Sequence, residues 1–102
     1  MKIKIKKDKY QKARGGKSTL YWILCEGCGK RLYLYQKDGG GSLYRLYIDR
    51  IMGDKERDKV IANDKLITCS CGEMIGYKYI YKKENRQAIK LFTKAIQKEI
   101  YG

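Results

Sequence analysis

Four cysteines form two short pairs, Cys25-Glu26-Gly27-Cys28-Gly29 and Cys69-Ser70-Cys71-Gly72, and the chain holds no other cysteine and no histidine. Paired thiols at this spacing are the donor set of a tetrahedral thiolate site. The glycine after each second cysteine permits a backbone angle that a side chain resists, so each pair reads as a knuckle. Cys25, Cys28, Cys69 and Cys71 are therefore the candidate metal ligands, and one structural Zn2+ is the expected cofactor. Iron is the less favoured occupant, because the same thiolate tetrahedron suits either metal. Four thiolates leave no open coordination position, which argues against a catalytic metal. The second knuckle is Cys-x-Cys, one residue tighter than the first. The competing reading is two disulfides or four buried thiols. It is the weaker one, since no secretory leader is evident and nothing implies an oxidising compartment. A cytoplasmic location is expected on the same grounds.

The chain also lacks the materials of an enzyme. All four thiols are claimed by the knuckles, histidine is absent, and the acidic residues cluster in a mixed-charge stretch. No apolar run reaches membrane length, so a membrane partner is not expected.

Charge is the second signal. The net charge is +13 over 102 residues, and it is segregated. Residues 1–20 carry eight basic and one acidic side chain; residues 21–76 carry nine and eight; residues 77–102 carry seven and two. A nearly neutral metal module with basic ends points to a polyanionic partner. The candidate nucleic-acid contacts are Lys12, Arg14, Lys17, Lys78, Lys82, Lys83, Arg86, Lys90, Lys94 and Lys98. Among the ten tyrosines, Tyr33, Tyr35, Tyr77 and Tyr79 are candidates for stacking on unpaired bases. Packing within a small sheet is the ordinary role of such tyrosines, and at least half are expected to be structural.

These residues need elements to position them. The expected architecture is mainly β (α+β), a small zinc-clamped antiparallel sheet of zinc-ribbon or β-tent kind. Residues 1–19 read as a flexible basic arm, with a short edge strand conceivable over Met1–Lys7, and residues 20–102 as one zinc-binding domain. Arg14-Gly15-Gly16-Lys17-Ser18-Thr19 imitates a phosphate-binding loop, but Gln11 stands where that loop needs its first glycine, and a β-type run follows. Leu20–Leu24 and Arg31–Gln36 read as strands entering and leaving the first knuckle. Lys37–Ser42 reads as a turn and Leu43–Ile48 as the return strand. Asp49–Asp64 reads as a loop or short helical turn. Lys65–Thr68 leads into the second knuckle and Met74–Tyr81 leaves it as a strand. Ala88, Ile89, Phe92, Ala95, Ile96 and Ile100 recur at helical spacing after Asn85, a suitable N-cap. An amphipathic C-terminal helix over 84–101 is expected, with Arg86, Lys90, Lys94 and Lys98 as a slanted basic ridge.

Residues Tyr21–Ile96 resemble the zinc-clamped β-tent proteins, the Yippee-like proteins and the ligand-binding domain of cereblon. The resemblance rests on Cys25-x-x-Cys28, on the turn and strand Gly39-Gly40-Gly41-Ser42-Leu43-Tyr44, and on Ile75-Gly76-Tyr77-Lys78-Tyr79 after the second knuckle. It implies a zinc-held scaffold with an interaction surface. Three functions follow. The favoured one is a structural-zinc RNA-binding protein, ribosomal or ribosome-associated. The alternatives are a β-tent module for a protein or small ligand, and a DNA-binding zinc ribbon.

Overall fold

The computed structural model describes residues 4–102. The start of the conceivable strand over Met1–Lys7 lies outside them, and residues 4–7 are not in a strand. In chain order the elements are α1 (Lys9–Ala13), β1 (Ser18–Cys25), β2 (Arg31–Asp38), β3 (Arg45–Tyr47), a 3-10 turn (Ile48–Arg50), α2 (Asp54–Ala62), β4 (Leu66–Thr68), β5 (Met74–Tyr81), β6 (Arg86–Leu91) and β7 (Ile96–Ile100). They build two antiparallel sheets, ordered β2-β1-β7 and β3-β6-β5-β4.

The expected mainly-β architecture is present, and the strands around both knuckles lie where the period-2 pattern puts them. Ile23 and Tyr35 from the first sheet meet Leu46, Ile67, Ile75 and Ile89 from the second in one buried cluster. That cluster also includes Cys25 and Cys69, so the knuckles are continuous with the core.

Three expectations are corrected. The C-terminal helix over 84–101 is absent, and β6 and β7 occupy that segment. Asn85 caps no helix; it sits in a turn at φ 51°. Ala88 and Ile89 are both fully buried because β6 is central in its sheet and covered on both faces at that point, while Gln87 and Lys90 stay exposed. Two adjacent buried residues imitate helical spacing where a strand is covered on both faces. The turn at Lys94, at φ 58°, then redirects the chain to pair with β1. Arg86, Lys90, Lys94 and Lys98 therefore form no helical ridge. Second, β3 does not return along β2; it pairs with β6 in the other sheet. Third, Asp49–Asp64 contains a nine-residue helix, α2.

Residues 4–17, expected to stand apart as an arm, pack against the domain. Asp8 caps α1 by accepting from the backbone N–H of Tyr10 and Gln11. The Lys6 backbone brackets the Gln36 amide, accepting from Nε2 at 2.9 Å and donating to Oε1 at 2.7 Å. Arg50, 1% exposed, ties this segment down: it donates through Nη2 to Asp8 at 2.6 Å and through Nε to Asp38 at 2.8 Å. Its Nη1 has no hydrogen bond; the Asp49 carboxylate is 3.9 Å away. A guanidinium so placed is tolerated because carboxylates meet its other edges.

Candidate metal centre and basic surface

Each knuckle is the tip of a hairpin. The first joins β1 to β2, closed by the Gly29 N–H donating to the Cys25 carbonyl at 2.8 Å. The second joins β4 to β5, closed by the Gly72 N–H on the Cys69 carbonyl at 2.9 Å and the Cys69 N–H on the Glu73 carbonyl at 2.8 Å. Gly29 and Gly72 hold φ of 75° and 96°, the left-handed conformation the sequence pattern implies. The two tips belong to different sheets, and tertiary folding brings them together.

All four Sγ atoms lie within 4.8 Å of one another. Cys25 and Cys71 sulfurs are 3.6 Å apart, and those of Cys28 and Cys69 are 3.7 Å apart. A tetrahedron with metal–thiolate bonds of about 2.3 Å has S···S edges of about 3.8 Å. No disulfide links the four thiols. The Cys71 backbone N–H, with the neighbouring sulfurs, draws the Cys69 thiol down to about 7. Cys71 moves the other way, to about 12: the Glu73 backbone N–H pulls it down, but desolvation and the sulfurs of Cys25, Cys69 and Cys28 outweigh that pull. Thiols this close ionise together only around a cation, so the donor set fits a metal ion. Cys25 and Cys69 are buried, while Cys28 and Cys71 are exposed.

The candidate basic residues have two fates. Arg14 pairs with Glu84 at 2.6 Å and stacks 5.3 Å from the Tyr47 ring centroid. Arg86, 4% exposed, donates to Asp49 at 2.6 Å and lies 3.7 Å over the Tyr47 ring. Lys78 is committed to the carbonyls of Val60, Ile61 and Asn63 at the end of α2. These three are structural. Lys12, Lys17, Lys82, Lys83, Lys90, Lys94 and Lys98 are exposed, and none is in an ion pair.

The division follows residue type. Five of the six arginines are in ion pairs, whereas among the described residues Lys59 alone of the lysines is. Arginine's planar fork suits buried carboxylates, and the strongly hydrated ammonium stays outside. Asp8, Asp38, Asp49 and Glu84 are taken up by arginines, and most of the exposed positive charge is lysine.

The candidate tyrosines divide as well. Tyr35 is 2% exposed, and its hydroxyl accepts from the Tyr47 N–H at 2.7 Å, so it cannot meet a base. Tyr33 is half-buried against the core. Tyr77 and Tyr79 are half-buried neighbours on the outer face of the four-stranded sheet, their ring centroids 6.1 Å apart. Phe92 lies 6.0 Å from Tyr77. Cross-strand pairing sets Arg45, Lys90 and Tyr77 in one row of this face. Arg45 and Phe92 were not among the sequence candidates; reading 86–91 with period 2 would have placed Lys90 in that row.

Comparison of the chain with protein-family models, with curated proteins and with solved structures finds no match. No helix among the described residues is long and apolar enough to cross a membrane.

Proposed function

We propose that this chain is a zinc-clamped binding protein for single-stranded nucleic acid, RNA before DNA, rather than an enzyme. The observation that carries the reading is the open part of the four-stranded sheet's outer face. There Arg45, Lys90 and Tyr77 stand in one row beside Tyr79 and Phe92. Strands β3–β6 contain no acidic residue at all. Aromatic rings offer stacking worth about 1–3 kcal/mol per base, and unpaired lysines offer phosphate neutralisation. Zinc is the proposed metal because a closed tetrathiolate serves it as a purely structural ion. Two sheets joined at their knuckles support the β-tent resemblance. A role at the ribosome belongs to the same proposal.

The test is binding of single-stranded RNA and DNA oligomers to the metal-loaded protein across a salt series. Expected is a log–log salt slope steeper than about −3, and weaker binding by Lys90→Gln and Tyr77→Ala. A flat salt response, or unchanged binding by both variants, would refute the reading. Elemental analysis of the purified protein separates zinc from iron. Sedimentation with ribosomal subunits that survives moderate salt would assign the RNA.

A second reading, a protein or ligand interaction module, is favoured by one observation. Trp22, Leu32, Leu34 and Met52 line a concavity of about 890 Å³ on the opposite side of the first sheet. Trp22→Ala should abolish partner capture under this reading and leave RNA affinity unchanged under the first.

A further inference from the structure

Lys37 is the most unusual cation in the molecule. It closes β2 at 7% exposure and makes no ion pair. Its Nζ donates to the carbonyls of Gly39 at 3.1 Å and Gly40 at 2.8 Å. An ammonium has three protons. Lys78 spends all three on the carbonyls at the end of α2, which is a complete structural role. Lys37 spends two, and a cavity of about 340 Å³ opens beside it.

Arg14, Arg45, Ser42, Tyr44 and Tyr47 also line that cavity. Arg45 has no carboxylate partner: its Nε donates to the Tyr79 hydroxyl at 2.9 Å and its Nη1 to the Tyr47 hydroxyl at 3.4 Å. Arg14 is already neutralised by Glu84. Asp38 borders the cavity, but its carboxylate is held by Ser18 at 2.6 Å, Gln36 at 2.8 Å and Arg50 at 2.8 Å. Buried Lys37 and half-buried Arg45 thus face one space, and neither has an ion pair of its own.

We infer that this cavity is a binding site for a phosphoryl group, with Lys37 and Arg45 as the charged donors and Ser42 as a hydroxyl donor. Burial lowers the Lys37 pKa, the positive charges of Lys98 and Arg14 lower it further, and the neighbouring Asp38 charge offsets only part of this. A bound anion offsets all three effects. The cavity is roomier than a lone phosphate needs, and Tyr44, which is largely exposed, forms part of its wall. A phosphomonoester with a planar group attached therefore fits the space. The inference goes beyond the nucleic-acid reading and does not need it: free phosphate and the 5′-phosphate of an oligonucleotide present the same chemistry.

The test is a titration of the metal-loaded protein with inorganic phosphate, read by amide and lysine ammonium NMR signals. Expected are saturable shifts at Lys37 and at residues 39–45, with Lys94 unmoved. Lys37→Gln should weaken phosphate binding roughly tenfold or more, the scale of one charge-assisted hydrogen bond, while Lys94→Gln leaves it unchanged. Should Lys37→Gln fail to fold, Arg45→Gln serves as the second variant, with the same expected loss. Competition then separates the sources. Displacement of phosphate by a 5′-phosphorylated but not a 5′-hydroxyl RNA oligomer supports the site with an oligonucleotide end as its ligand. Phosphate binding that neither oligomer displaces supports the site with a small free ligand. Absence of saturable shifts at Lys37, or wild-type affinity in both variants, overturns the inference. Salt-dependent RNA binding by other lysines would survive that outcome, so the two readings fail separately.

Discussion

The two sheets are held at two places by different physics. At one end, four sulfurs from two hairpin tips converge within 4.8 Å of one another. At the other, Arg50 and Arg86 gather Asp8, Asp38, Asp49 and Glu84 into a network linking the N-terminal segment, β2, the 3-10 turn and β6. The first join has few parts and, under the proposed zinc reading, depends on an ion. The second is distributed and depends on desolvated charges that must all be partnered. At 102 residues the apolar core is modest, and both joins add to it. Metal coordination contributes stability outright, whereas a buried ion-pair network mostly penalises its own disruption.

That contrast can be broken experimentally. Stripping the metal with a chelator, or Cys25→Ser, should have the largest effect. Tetrathiolate sites supply on the order of 10 kcal/mol, comparable to the whole stability of a small domain. The expected outcome is loss of cooperative melting by circular dichroism, restored by adding zinc back to the chelated wild type. A fold that melts normally without metal would make the core, rather than the clamp, the principal join.

Next in size is Arg50→Met, expected to destabilise by about 3–5 kcal/mol because it leaves Asp38 buried and unpaired. Denaturant unfolding measures this. The double variant Arg50→Met/Asp38→Leu should regain most of the loss. If the double variant is as unstable as the single one, the network contributes by more than mutual neutralisation.

Acid should give the smallest and most selective effect. The Arg50 hydrogen bond holds Asp8 at about 2 instead of 3.8. Asp38 and Glu84 are also lowered: hydrogen bonds from Ser18, Arg50 and Gln36 overcome the burial of Asp38, and Arg14 draws down Glu84. Carboxylates with depressed values stabilise the fold above their ordinary range and lose that contribution as pH falls. The network should therefore weaken between about pH 4 and pH 2. Acid also protonates the thiolates and releases the metal in both proteins, so a melting series reads the network as the stability difference between wild type and Arg50→Met, which should shrink as pH falls through that window.

The two ends also differ in how far they could be read in advance. Cys25/Cys28 and Cys69/Cys71 are three and two residues apart, so local spacing announces each half of the site. Arg50 meets Asp8 across 42 residues and Arg14 meets Glu84 across 70, and no local pattern marks such partners. The strands beside the knuckles were legible because they are short runs rich in leucine, isoleucine and tyrosine that border a glycine-closed cysteine pair. The segment after Asn85 was not, because β6 is covered on both faces at its middle and its adjacent buried Ala88 and Ile89 imitate a helical stripe. Among the cations, composition alone could not separate Arg86 and Lys78, which are internal ties, from Lys90 and Lys98, which are free at the surface.

The sequence by itself determined the ligand set, the glycines that let each knuckle close, the alternating strands around them and the excess of positive charge. Each is a property of short-range geometry or of simple count. Tertiary structure decided which cations remain unpaired, which tyrosines are reachable, that the C-terminal residues extend rather than coil, and that Lys37 faces a cavity with no ion pair of its own. Those outcomes depend on which groups lose water together, and desolvation is set by what the distant parts of the chain bring alongside.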